Sequence, residues 1–313
     1  MSHRSLRWSR TSAGLPHARQ RSGAGTASTA AAPMVAASRR ASLPASATTC
    51  AARRCARLAA ERACQNRRVG ADREYFGERV AADYDAHSES MFDPAVVGPA
   101  VDRLAELAGA GAALEFAIGT GRIALPLAAR GVRVAGIDTS EAMLARLREK
   151  PGAEGIEALA GDMATTRVPG DFTLVYLVFN TIFNLTTQDG QVACFVNAAA
   201  HLSSGGRFVI EARVPELQRL PPGQTVLPWR ADPDALSFYV YDTVEQRLSG
   251  RHYYVEDDGA LRPSPIEMRY VWPSELDLMA RLAGMRLEHR WGGWGREPFT
   301  GLSPAHVSVY VKP

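Results

Sequence analysis

Residues 113 to 131 narrow the folds open to this chain more than any other segment. An apolar run, Ala113 to Ile118, stops at the glycine turn Gly119-Thr120-Gly121, a helical pattern follows from Arg122 to about Arg130, and Gly131 closes it. A glycine corner between a strand and a helix lets backbone pass close to a ligand, with helix N–H groups and the positive dipole end facing it. Such a corner suits a nucleotide-like cofactor.

The same alternation continues downstream. Val132 to Ile137 reads as a strand ending at Asp138, and Thr139 or Ser140 can cap a helix carrying Met143, Leu144 and Leu147 on one side. Ile156 to Ala160 is a short third strand ending in Gly161-Asp162, and Phe172 to Phe179 is a fourth, almost wholly apolar. Strands buried on both faces read this way, which places all four in the middle of a parallel sheet. A helix from Asp189 to Leu202 and a turn at Ser203 to Gly206 lead to strand five, Arg207 to Ala212. The repetition predicts an α/β fold, a doubly wound, Rossmann-like seven-stranded sheet. Two lead-in helices precede it, Glu74 to Tyr84 and Val97 to Leu107.

After strand five the rhythm breaks. Pro215, Pro221, Pro222 and Pro228 mark a loop, and Ser237 to Thr243, Gly250 to Glu256 and Ile266 to Trp272 read as three β segments of a small antiparallel insert, spanning 215–272. A helix, Ser274 to Ala283, and two strands, Met285 to Trp291 and His306 to Val311, then complete the sheet.

Charge divides the chain. Residues 1 to 70 carry thirteen arginines, no lysine and one acid, Glu61, with few long apolar side chains, so they are expected to be a disordered extension. A transit peptide, a plain tail or an early start codon would look alike. The domain proper is expected from residue 71 to 313; it carries a net negative charge, which offers phosphates no general basic footprint. A small-molecule acceptor is expected, with no nucleic-acid partner. No run of 18 uncharged apolar residues offers a membrane span, and the cysteines, Cys50, Cys55, Cys64 and Cys194, match neither a zinc nor a closed disulfide pattern. A cytoplasmic setting with reduced thiols follows as the expectation. The acids are dispersed and the histidines lie at no ligand spacing, so no metal is expected.

Two cofactors suit the corner. Gly119-x-Gly121-x-x-Ala124 passes for a dinucleotide fingerprint, with Asp138 to hold a ribose. Two features favour S-adenosylmethionine instead. Glu115 puts a negative charge inside strand one, where a methionine ammonium group could use it, and Gly161-Asp162-Met163 offers a carboxylate and an apolar side chain to an adenine. Asp138 serves either cofactor. An NAD(P)-dependent oxidoreductase would further call for a proton-relay Tyr/Lys pair, and Lys150 and Lys312 are the only lysines. A non-catalytic descendant that merely binds cofactor is the third reading.

The order Glu115-x-x-x-Gly119-x-Gly121, Asp138, Gly161-Asp162 and Leu202-Ser203-Ser204-Gly205-Gly206-Arg207 resembles class I S-adenosylmethionine-dependent methyltransferases over roughly residues 72 to 313. Ala81-Ala82-Asp83-Tyr84-Asp85 is similar to the family's lead-in helix, whose tyrosine approaches the cofactor. Within the family the chain looks like small-molecule enzymes, amino-sugar N-methyltransferases among them, with an antiparallel lid after strand five. Ala117 and Ile123 stand where the usual turn has its first and last glycines. The resemblance implies cofactor binding by Tyr84, Glu115, Ala117, Gly119, Thr120, Gly121, Arg122, Asp138, Thr139, Met143, Gly161, Asp162, Met163 and Phe179.

Methyl transfer from a sulfonium to a neutral nucleophile disperses charge rather than creating it, so positioning can supply about 7 kcal/mol or more and a base is optional. Asn180 and Phe183, after strand four, and Trp294, in an aromatic and glycine loop, are the expected acceptor-binding residues on a nitrogen or oxygen substrate. His252 is the one candidate base; surface or packing roles compete with it. Arg213, Arg219 and Arg230 read as solvated charges among many arginines.

Overall fold

Near-continuous apolar strands build a sheet with two covered faces. The computed structural model describes residues 76–87, 91–256 and 258–313. The expectations for the first 70 residues, three of the cysteines among them, and for the start of the first lead-in helix lie outside these. Helices α1 (Glu78–His87) and α2 (Pro94–Ala108) lead in. They are followed by β1 (Ala113–Phe116), α3 (Ala124–Ala129), β2 (Val134–Asp138), α4 (Glu141–Arg148), β3 (Glu157–Ala160), β4 (Phe172–Leu177), α5 (Gln188–His201) and β5 (Leu202–Arg213). Side-chain oxygens start three helices: Asp93 accepts from Ala95 N, Ser140 from Met143 N and Thr187 from Gly190 N. Of the two expected caps for α4, Ser140 is the one that bonds.

The large sheet has the order β10-β11-β5-β4-β1-β2-β3, where β10 is Arg286–Trp291 and β11 is Ala305–Val311. Strands β1 to β5 run parallel, and β11 is antiparallel to both neighbours. Successive residues face opposite sides. Leu114, Phe116, Val175, Leu177, Phe208 and Tyr310 pack with Phe195 of α5 and with Leu276 and Met279 of α6 (Pro273–Leu282). Ala113, Leu174, Tyr176, Val209 and Val309 pack with Val101 and Leu104 of α2, Leu127 of α3 and Leu144 of α4. Among the described residues no helix is long and apolar enough to cross a membrane.

One strand departs from expectation. Strand β3 lies at the sheet's edge, with its end residues Glu157 and Ala160 exposed, so the interior placement read from its composition is corrected. Four residues are too few to show whether an apolar run meets another strand on one side or two. Strand β5 also begins earlier than Arg207, taking in the Ser203 to Gly206 turn through an irregular pairing with β4.

The insert is a four-stranded antiparallel sheet: β6 (Val226–Asp232), β7 (Ala235–Asp242), β8 (Arg247–Val255) and β9 (Leu261–Arg269). The expected three segments became four because β6 contains Pro228, read as loop; β9 also begins earlier than expected, ahead of Pro263 and Pro265. Both strands are edges, where a missing N–H costs no ladder bond. A buried polar network fixes this sheet to the body. Arg269, 5% exposed, donates to Gln246 Oε1 at 2.8 Å and to Glu275 Oε1 at 2.7 Å. Gln191 Nε2 donates to the carbonyls of Ile182 and Arg269.

Candidate active site

Parallel pairing of β1, β2 and β3 brings their C-terminal ends to one edge, and the acids at those ends are joined through backbone. Asp138 Oδ2 accepts from Gly119 N and Oδ1 from Ser140 N, both at 2.8 Å, while its carbonyl accepts from Gly161 N. Burial pushes the Asp138 carboxyl up, and the amides of Ser140, Gly119 and Thr139 oppose that. Asp162, next along the chain, accepts from Ala164 N at 2.8 Å.

The corner itself is tightly wound. Ala117, Gly119 and Gly121 all have positive φ, at 56°, 55° and 84°. A side chain on Gly119 would meet nothing, whereas one on Gly121 would enter Leu147 and Leu125. Gly119 therefore leaves open space for a ligand, and Gly121 permits close helix packing. Ala117 holds the left-handed conformation at a cost of about 1–2 kcal/mol relative to ordinary backbone.

Glu115 lies behind the corner, 3% exposed. Burial raises its carboxyl to about 8, against the opposing effects of Tyr176, Arg122 and the Ala124 amide at the start of α3. It is a buried acid behind the corner.

Helix α1 closes over the corner. Thr120 Oγ1 donates to Asp85 Oδ1 at 2.6 Å, Lys150 Nζ pairs with Asp85 and donates to the Thr120 carbonyl, and Ser140 Oγ donates to the Phe76 carbonyl. Tyr84 is half-buried here; desolvation raises its phenol, with Arg122, Asp138 and Asp85 close enough to act on it. A cleft of about 480 Å³ lined by Asp85, Phe92, Val97, Gly121, Arg122 and Lys150 flanks the corner.

The remaining expected residues divide. Met143 is buried, and Thr139 is exposed beside Asp138. Met163 is buried in the core with Phe116 and Ile137, so its side chain serves packing. Phe179 is 44% exposed, with the Arg122 guanidinium 4.6 Å from its ring centroid. This joins the end of β4 to the glycine corner.

On the other side of that turn is a second pocket, lined by Asn180, Phe183, Arg213, Glu216, Tyr239, Tyr241 and Tyr270 among others. Asn180 and Phe183 are thus brought against the inner face of the insert. Glu216 is held by both Arg213 and Arg219, and Arg230 pairs with Asp232, so these arginines are ion-paired rather than free. His252 is absent from the lining. It is 9% exposed on β8, bonded to Ser237 Oγ at 3.0 Å, edge-on to Trp229 and Tyr239, and its burial lowers its pKa. Sequence reasoning missed Glu211 at the end of β5. Its carboxylate accepts from Phe179 N at 2.9 Å and from Trp294 Nε1 at 2.8 Å. The signal was available, an acid directly after the apolar run Phe208-Val209-Ile210, the pattern that singled out Glu115.

A methyltransferase-domain family model matches residues 113–206, from the first strand through the β5 turn. The structure of the CcbJ methyltransferase from Streptomyces caelestis is similar at 37% identity and a TM-score of 0.63, covering 68% of this chain and 88% of that one. The chain belongs to the class I S-adenosylmethionine-dependent methyltransferases. This methyltransferase is also 27% identical over 193 residues to the cypemycin N-terminal methyltransferase of a Streptomyces species, covering 61% of this chain and 78% of that one. Its fold is shared with CalS10, an amino pentose methyltransferase from Micromonospora echinaspora solved with S-adenosylmethionine bound, at 23% identity, a TM-score of 0.54 and coverage of 69% and 90%. The open face of Gly119, the Asp138 carboxylate beside it and Tyr84 near that carboxylate fit that cofactor, which supplies an electrophilic methyl on a sulfonium. The dinucleotide alternative is set aside.

Proposed function

We propose that this methyltransferase methylates the nitrogen of a small-molecule amine held between the Asn180–Phe183 turn and the inner face of the antiparallel sheet. The observation that carries this reading is the chemistry of the pocket lining. Its titratable groups are poorly suited to remove a proton: Glu216 is tied to two arginines, burial raises the Tyr239 phenol, and burial pushes Tyr241 to about 12. A phenol or alcohol would need a base within hydrogen-bond reach, whereas an amine arriving neutral brings its own lone pair. The name of one similar protein, an N-terminal methyltransferase, supports nitrogen.

In this reading Asp138 holds the ribose, Asp162 the adenine edge, and Tyr84, Thr120 and Arg122 the methionine end. Phe179, stacked on Arg122, separates the cofactor side from the acceptor side. Asn180 and the three tyrosine hydroxyls orient the acceptor, and the insert excludes water.

The test is a panel of primary and secondary amines, amino sugars included, alongside matched phenols and alcohols. S-adenosylhomocysteine is measured, and the methylated atom is located by mass spectrometry and NMR. Turnover confined to amines is expected. Preferential methylation of phenols or alcohols would overturn the nitrogen assignment.

A further inference from the structure

The end of β4 carries an unusual stretch of backbone. Phe179 and Asn180, neither of them glycine, both have left-handed φ, at 60° and 62°. Two such residues in succession cost about 1–3 kcal/mol each and persist only where the surroundings over-determine them. The surroundings here are three hydrogen bonds to two residues of β5. Phe179 N donates to Glu211 Oε2 at 2.9 Å, Asn180 N donates to the Glu211 carbonyl at 3.2 Å, and Arg213 N donates to Asn180 Oδ1 at 2.6 Å.

Glu211 lies one residue past the last pairing of β4 with β5, Leu177 with Ile210. Its other carboxylate oxygen accepts from the Trp294 indole at 2.8 Å, in the loop between β10 and β11. One side chain thus ties together the strained turn and a second loop, and the turn it holds presents Phe179 to Arg122 on one side and Asn180 to the acceptor pocket on the other.

We propose that Glu211 is a positioning residue for methyl transfer, whose carboxylate couples the cofactor corner to the Trp294 loop through the Phe179–Asn180 turn. A carboxylate is required because both partners donate. A glutamine at 211 has the same shape but turns an NH2 group toward one of the two donors, so one bond must be lost.

The test uses the full chain labelled with 5-fluorotryptophan, with Trp294→Phe identifying the Trp294 resonance. In the wild type, S-adenosylhomocysteine is expected to shift or sharpen that resonance. In Glu211→Gln, S-adenosylhomocysteine should bind within about threefold of wild type by calorimetry while the Trp294 resonance no longer responds. For any amine the wild type turns over, kcat should fall about 10- to 100-fold with the KM for S-adenosylmethionine unchanged, the pattern of a misplaced wall. Trp294→Phe, which keeps the Phe179 bond, should lose less. A Trp294 response in Glu211→Gln equal to wild type would overturn the proposal, as would cofactor binding and melting temperature falling together. The fluorine measurement needs no acceptor, so failure of the amine assignment leaves this test standing.

Discussion

The Tyr176 hydroxyl donates to Glu115 Oε2 at 2.9 Å, and the two residues are direct neighbours across β1 and β4, closed off from solvent. The pair explains how an acid is tolerated inside an otherwise apolar sheet, and burial holds its carboxyl near 8. Between the ordinary carboxylate range and pH 8 the folded chain keeps a proton that the unfolded chain has released. Stability from this group therefore falls as pH rises through that window, by at most about 1.4 kcal/mol per pH unit. Thermal melts of the ligand-free protein from pH 5 to pH 8.5 should show that decline, and Glu115→Gln should flatten it. An unchanged slope in the variant would show that Glu115 is ionised throughout.

Ala117 occupies the left-handed region, where a Cβ is unfavourable. Ala117→Gly removes that cost but adds about 0.4–1 kcal/mol of freedom to the unfolded chain. A net stabilisation of about 0.5–1 kcal/mol is expected, read as a higher urea midpoint with an unchanged slope. Destabilisation would mean that the alanine methyl packs better than its backbone suffers.

Asp138 organises the site from both oxygens, holding the amides of Gly119 and Ser140. Hydrogen bonds to charged groups contribute about 1.5–3 kcal/mol, so Asp138→Ala should weaken S-adenosylhomocysteine binding by roughly 10- to 100-fold or more in calorimetry. Wild-type affinity in this variant would remove Asp138 from the cofactor site.

The polar network at Arg269 should be costly to break. Removing the guanidinium leaves Glu275, whose carboxyl is held below its usual range by Gln246, Arg269 and Gln188 despite burial, without its cation. Arg269→Met is expected to destabilise by about 3–5 kcal/mol. Because Gln191 bonds both the Ile182 carbonyl beside the acceptor turn and the Arg269 carbonyl at the end of β9, acceptor affinity should fall as well. Differential scanning calorimetry and amine KM values check the two effects separately.

Much of this architecture is legible in the amino-acid order because its signals are local. The near-continuous apolar runs of β1, β2, β4 and β5, the corner at Gly119 and Gly121, and the acids at Asp138 and Asp162 each follow from side-chain type over a few residues. The edge position of β3, the fourth strand of the insert and the proline-bearing β9 were misjudged. Each depends on which neighbour a strand meets, and composition is silent on that. His252 stood out as a lone histidine beside tyrosines, yet the fold directs its imidazole to Ser237.

By itself, the sequence determined the parallel sheet and the glycine corner, since hydrophobic patterning and backbone permissiveness act within a few residues of where they are written. Only the tertiary structure decided that Glu115 pairs with Tyr176, that Phe179 faces Arg122, and that Glu211 holds both Phe179, 32 residues before it, and Trp294, 83 residues after it. Those contacts arise from strand order and register, which bring distant residues within hydrogen-bonding reach without leaving a mark in the local pattern.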